Sequence, residues 1–326
     1  MSDCDRFTRL LLAKGHGFPL FLPSPPVDLP DAVKRNGTQI GDVGIVCNDG
    51  SFDPIFNIYR PEGDLANRFG VPSDFKQLPC GQDDILQVPR HPAGTVILNS
   101  PASAGAPVLE QALLRLPDGA STRDSRSLPL LRDYAAKHAR SWYQFVNDDL
   151  ERMVGDSGLY LVTGVTKTTS WSIDVGSFAH VAGGEWDEAS ATINSGPHRS
   201  PGEESRENQS VFIRGFKVAL RPSGSTDTED EELSLHSIYH PSDIINKYKF
   251  DADPSAMVAV THDDEWTSVL GEADIKLPDD EDLIARISKK FKTSNSGSTG
   301  SWVTPQPFVR GRDLWIHAPA RRAVSR

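Results

Sequence analysis

From Ser127 the chain settles into a helical repeat. Leu131, Tyr134, Ala135, His138, Trp142, Phe145 and Val146 share one face, while Arg132, Lys137 and Arg140 lie elsewhere. The spacing predicts an amphipathic helix over 127–147, with Ser127 as N-cap, Pro129 in the first turn and Asn147 ending it in the left-handed conformation. The run GLYLVTGV (158–165) is continuously apolar and bounded by glycine, which predicts a strand covered on both faces. The next residues alternate: Trp171, Ile173 and Val175 one way, Ser170, Ser172 and Asp174 the other, with Gly176 marking a bulge or bend. Trp186 falls in a weaker strand over 184–194. A long strand over 209–221 sets Phe212, Phe216, Val218 and Leu220 on one side and Val211, Ile213 and Ala219 on the other.

Outside this centre the pattern is more broken. Residues 5–14 predict a short helix with Phe7, Leu10 and Leu11 on one face. Prolines 19, 23, 25, 26 and 30 then predict an extended arm that packs through Phe18, Leu20, Phe21 and Leu22 and joins no ladder. Ile40, Val43, Ile45, Val46 and Ile58 suggest two strands around an Asn48-Asp49-Gly50 turn. That turn, near Asp42 and Asp53, lacks the alternating oxygen ligands and final glutamate of a calcium loop. Residues 61–127 read as loop-rich β structure with strand pieces at Ile85–Val88, Gly94–Leu98 and Val108–Leu116. Beyond the long strand come an acidic linker (224–234), a helix over 242–249, an apolar strand over 255–261 and a helix over 279–292. The fold class is therefore expected to be α+β: a mainly antiparallel twisted sheet packed on a central helix, with a small C-terminal αβα appendage. The domain reading is a core over 1–223, the linker, an appendage over 235–293 and a flexible linker with a basic tail over 294–326.

Charge and cysteine content narrow the function. A net charge of -11 argues against nucleic acid as the main partner. Arg310, Arg312, Arg321, Arg322 and Arg326 make the tail locally basic, and a solvated terminus accounts for them. Cys4, Cys47 and Cys80 are odd in number and widely spaced, which predicts neither a disulfide framework nor a C-x-x-C metal site and fits a cytoplasmic setting. The acid-first N-terminus with its short apolar run predicts no secretion signal.

Few residues carry candidate chemistry. His262, Asp263 and Asp264 follow the strand MVAVT and offer nitrogen and oxygen ligands for a divalent metal; the alternative is a polar loop capping the next element. Lys167 closes TGVTK, which has one glycine at the wrong spacing for a phosphate loop. Asp174 is either a catalytic carboxylate or the solvent-facing partner of Ser172. Arg214 and Lys217 interrupt a core strand and would neutralise a buried acid such as Asp174, bind an anion or face water. His236, His240 and Ser242 offer serine–histidine chemistry without a glycine-flanked nucleophile elbow. Trp142, Trp171 and Trp186 would stack a ligand or fill a helix–sheet seam. No cofactor signature is present.

The segments KGHGFPLF, IGDVGIVCNDGSFDPIFNI, SWYQFVN, LYLVTGVTKTTSW, SVFIRGFKVALR and YHPSDIIN with VAVTHDDEW resemble an uncharacterised protein family of mushroom-forming (basidiomycete) fungi. The resemblance covers most of the chain, brings almost no function with it, and is departed from at Val165 and Ser172. The order of an N-terminal helix, early strands, the YLVT strand and the long strand SVFIRGFKVALR is also similar to the pore-forming domain of gasdermins. That second resemblance implies strands released to insert into anionic lipid. The functional expectation is a cytoplasmic interaction or defence protein that permeabilises membranes, whose partners are anionic lipid or another protein, with oligomerisation. A hydrolase using His262, Asp263 and Asp264, or Lys167 and Asp174, is the alternative, and a ligand-binding module built on the three tryptophans is the third.

Overall fold

A computed structural model describes residues 1–99, 108–180, 186–196, 206–221, 238–271 and 274–294, with the backbone alone at 88–90, 108–109, 177–180, 186–193, 195 and 291–294. The acidic linker, His236, the basic tail and the Trp186 side chain lie outside what it describes.

Helix α1 (Asp3–Leu12) begins earlier than its apolar repeat suggests, because Ser2 caps it. The Ser2 hydroxyl accepts the Asp5 amide while the Asp5 carboxylate accepts the Ser2 amide, both at 3.1 Å. The proline arm does join a ladder: β1 (Phe18–Pro19) pairs with the long strand, Phe18 opposite Ile213. Proline is tolerated there because the segment is only two residues long and lies at a sheet edge. After the short helix α2 (Asp31–Lys34) comes the hairpin of β2 (Asp42–Val46) and β3 (Phe52–Asn57). Its turn is closed by Asp49, which accepts the Ser51 amide at 2.9 Å. Strands β4 (Ile85–His91), β5 (Thr95–Asn99) and β6 (Val108–Leu116) match the predicted pieces. Strand β7 (Ala120–Ser125) was not legible, since its buried Thr122 is polar and is matched across the ladder by the Thr166 hydroxyl at 3.1 Å.

Helix α3 (Leu128–Gln144) buries the expected face but ends differently. Ser127 sits at the N-cap without a side-chain bond, and the C-terminus widens into a π turn over Phe145–Asp149. Asn147 does not enter the left-handed region; Glu151 and Met153 do, at φ of 53° and 51°. The Asn147 amide instead clamps Val154, donating to its carbonyl at 2.9 Å and accepting its amide at 2.6 Å. Then follow β8 (Leu159–Thr168), β9 (Ser172–His180), β10 (Trp186–Ser195) and β11 (Gln209–Leu220). Helix α4 (Pro241–Ala252), strand β12 (Val258–His262) and helices α5 (Asp263–Thr267) and α6 (Asp280–Ser294) complete the fold.

The class is α+β, with two antiparallel sheets. The larger is built on the β8–β11 pair, and each of these strands serves two neighbours on its outer side. β8 pairs with β2 along Leu159–Leu161 and with β7 along Gly164–Lys167; β11 pairs with β1 at Phe212–Ile213 and with β12 along Phe216–Leu220. The strand of the C-terminal segment is thus part of the main sheet. β10, β9, β6 and β5 form the second sheet. The bulge there falls on β10 between Glu188 and Ser190, whereas Gly176 stays in register, so it is not the bend it suggests.

Three cores follow. One packs α3 on the main sheet through Trp142, Phe145, Phe56, Leu161, Phe216 and Val218. The second, on the opposite sheet face, joins Phe18, Tyr160, Val162 and Ile213 to Ile245, Trp266 and Leu283 of the C-terminal helices and their flanks. The third seals α1 against the second sheet and includes Trp171 and Phe212. Phe212 and Phe216 therefore do not share a core, because the irregularity between Arg214 and Gly215 shifts the register between them.

One close approach makes a sharp demand. A Cβ on Gly164 would lie 2.3 Å from Asp124 Oδ1 and 2.9 Å from Arg214 Nε. Gly164→Ala is expected to destabilise by about 1–3 kcal/mol through overpacking and disruption of that ion pair. Gly155→Ala, where a Cβ meets nothing within 4 Å, should stay within about 0.5 kcal/mol of wild type. Urea unfolding of both variants measures the difference, and equal midpoints would remove the steric argument.

Candidate functional site

Residues from β8, β11, α4 and α5 meet around Asp263, at the start of α5. Its carboxylate is fully buried and is met by four donors. The Tyr160 hydroxyl and the Gly215 amide reach Oδ2, the amide at 3.1 Å. Ser242 Oγ and Trp266 Nε1 reach Oδ1 at 3.3 and 3.2 Å. Burial pushes this carboxyl above its ordinary range against the pull of these donors. Burial and the adjacent Asp263 likewise hold Tyr160 well above its ordinary value.

His262 turns the other way. Its Nδ1 accepts the Asp264 amide at 3.1 Å and so caps α5. The Thr163 hydroxyl donates to the Arg214 carbonyl at 3.2 Å, which leaves its oxygen to accept from His262 Nε2 at 2.8 Å. Asp264 points outward and is partly exposed. The expected metal triplet is therefore splayed: one carboxylate inside, one outside and an imidazole committed at both nitrogens. Among the described residues no group of three His, Cys, Asp or Glu side chains could hold a metal ion.

His240 and Ser242 do come together, but not as a nucleophile and its base. His240 Nδ1 accepts the Ser242 amide at 3.1 Å, and the Ser242 hydroxyl goes to Asp263. The imidazole stacks on Phe18 at 4.7 Å, and burial holds its pKa well below the ordinary value. Both residues are out of reach of solvent.

Arg214 does not neutralise Asp174. Its Nε and Nη2 reach Asp124 Oδ1 at 2.7 and 2.5 Å, passing over bare Gly164, and Nη1 donates to the His16 carbonyl at 2.9 Å. Asp174 pairs with Arg115 at 3.3 Å on the outward face of the second sheet, as its alternation indicates for a structural role. Lys217 lies 3.7 Å from Asp243. Trp142 and Trp171 fill separate cores and form no common platform. The single-seam expectation for the tryptophans is thus corrected by their division between two sheets.

Lys167 is the least ordinary of the predicted residues. It is buried, and its ammonium donates to the Asn36 carbonyl. Burial pushes it down to about 8, with the Asp42 carboxylate pulling in the opposite direction. Asp42 is itself pushed up to about 6 by burial while Asn57 Nδ2 donates to it at 2.7 Å and the Gln39 amide at 2.6 Å. Asp124 and Tyr160 were not marked by the sequence pattern; the one visible signal was the glycine facing each, Gly164 against Asp124 and Gly215 against Tyr160. Asp42, noted beside the Asn48-Asp49-Gly50 turn, serves Lys167 and Asn57 and no calcium loop.

Two measurements test this assignment. In Asp263→Asn, either amide orientation sets an NH2 group against Gly215 N–H or Trp266 N–H, neither of which can accept. A loss of about 2–4 kcal/mol is expected by urea unfolding, against less than about 1 kcal/mol for Asp264→Asn. For Lys167, whose folded pKa of about 8 lies below its ordinary 10.5, the unfolded chain holds more protons between those values. Its contribution to stability therefore rises with pH across that window. Thermal unfolding from pH 8 to 10 should show wild type gaining on Lys167→Met, and parallel curves would mean the ammonium is hydrated.

Compared with known proteins, the chain matches no family model, no curated protein and no solved structure.

Proposed function

We propose that this is a non-enzymatic interaction or defence protein that acts from the cytoplasm by permeabilising membranes in the manner of gasdermins. The observation that carries the reading is the second sheet. It consists of two antiparallel hairpins side by side, β5 with β6 and β9 with β10, with β6 paired to β9. Its inner face presents Ile97, Ala112, Leu114, Ile173 and Val175, and α1 covers that face with Phe7, Leu10 and Leu11. Its outer face mixes Ser172 and the Arg115–Asp174 pair with the exposed Val96 and Leu98 and with Leu113. Strands β6, β9 and β10 have 9, 9 and 10 residues, the length at which a tilted strand spans a hydrocarbon core. Sliding α1 away would uncover an apolar face on a sheet whose other face already mixes charged and apolar side chains.

Two further observations support a reading without catalysis. The candidate groups Lys167, Asp174 and His262 are separately committed, to Asn36, Arg115 and the cap of α5. No helix among the described residues is long and apolar enough to cross a membrane, which leaves strands as the inserting element.

The expected outcome is dye release from anionic vesicles by the full-length protein. Phe7→Ala, which loosens α1, should release dye several-fold faster at equal concentration. Absence of release on every anionic composition tried would overturn the reading.

A further inference from the structure

The segment around α2 and the turn before β11 border an open, shallow cleft of about 340 Å³ lined by Asp31, Lys34, Arg35, Arg206 and Asn208. Three cations meet there on a chain whose net charge is -11, and they come from stretches some 170 residues apart. Among the described lining residues the carboxylate is Asp31, which is largely solvated and lies 3.6 Å from the Lys34 ammonium.

The walls are joined through backbone carbonyls. Asn208 Nδ2 donates to the Lys34 carbonyl at 2.8 Å, and the buried Lys167 ammonium donates to the Asn36 carbonyl. Gly37, at φ +59°, presses so closely on Asn208 that a Cβ would lie 2.2 Å from its carbonyl oxygen. The two segments are thus pinned together while the heads of Lys34, Arg35 and Arg206 line the opening. Lys167, whose ammonium reaches the Asn36 carbonyl, adds positive charge behind it, with Glu207 acting on Lys167 in the opposite sense.

We infer that this cleft binds a phosphate monoester, either on a lipid headgroup or on a small soluble molecule. Two guanidinium groups and an ammonium match a phosphate dianion in charge and in paired N–H geometry. The volume lies at the small end of ligand pockets, suited to a headgroup-sized molecule. The inference does not rest on membrane permeabilisation, because binding and dye release are read separately.

The test uses full-length protein with inositol hexakisphosphate in solution, and with phosphatidylcholine vesicles with and without a phosphoinositide. Binding at low salt is expected to weaken at least about tenfold in the double variant Arg35→Glu/Arg206→Glu. The control Lys137→Glu/Arg140→Glu makes the same charge change on the exposed face of α3 and should keep wild-type affinity. Thermal unfolding checks that both variants fold. Site-dependent binding to the soluble probe assigns a soluble ligand, and site-dependent binding to phosphoinositide vesicles alone assigns a headgroup. No binding in either format, or equal weakening in both double variants, would overturn the inference.

Discussion

Ten consecutive residues of β8 are shielded from water, so each of its amides and carbonyls needs a partner inside the protein. That requirement organises the molecule. One side of β8 is satisfied by β11 along nearly its whole length, and the other is divided between β2 and β7. Because side chains alternate across the strand, Leu159 and Leu161 reach the α3 core while Tyr160 and Val162 reach the core beneath the C-terminal helices. The C-terminal segment is bound into the same arrangement through β12, which extends the sheet beyond β11. Releasing it would strip a neighbour from β11 and uncover Asp263.

Polar groups inside such a sheet are costly unless each finds a partner. Here they find one another at glycines. Gly164 leaves room for Arg214 to cross β8 to Asp124, and Gly215 lends its amide to Asp263. A buried carboxylate met by four donors loses much more when a donor or acceptor is removed than it gained when formed. The Asp263 cluster is consequently better suited to specifying one packing of the C-terminal helices than to turning over a substrate. The same reasoning removes His240 and Ser242 from a catalytic role, since both are enclosed and neither is poised on the other.

What is left for function lies at the periphery. The second sheet shares no ladder with the β8–β11 pair, is covered on one face by the ten-residue α1 together with Val211 and Phe212 of β11, and carries an ion pair on its other face. A surface element closed by so small a cover has a lower cost of local opening than the central strands. The cationic cleft lies on different segments, pinned through carbonyls, and its charge runs against that of the whole chain.

The one-dimensional pattern determined the elements. Periodicity alone marked α3, the two-sided burial of β8 and the alternation of β9, because these depend on residues a few positions apart. It also marked Lys167, Asp174 and Arg214 as anomalies, since a charge in an apolar strand is visible without knowing its partner. The partners were decided only by tertiary structure: Arg214 found Asp124 ninety positions away, Lys167 found a backbone carbonyl, and Trp142 and Trp171 went to different cores. Strand β7 and the π turn escaped for the same reason, being set by cross-strand and packing contacts rather than by local preference. The gathering of Lys34, Arg35 and Arg206 into one cleft is likewise a product of the fold, because charge that is dilute along the chain becomes concentrated only when distant segments are brought together.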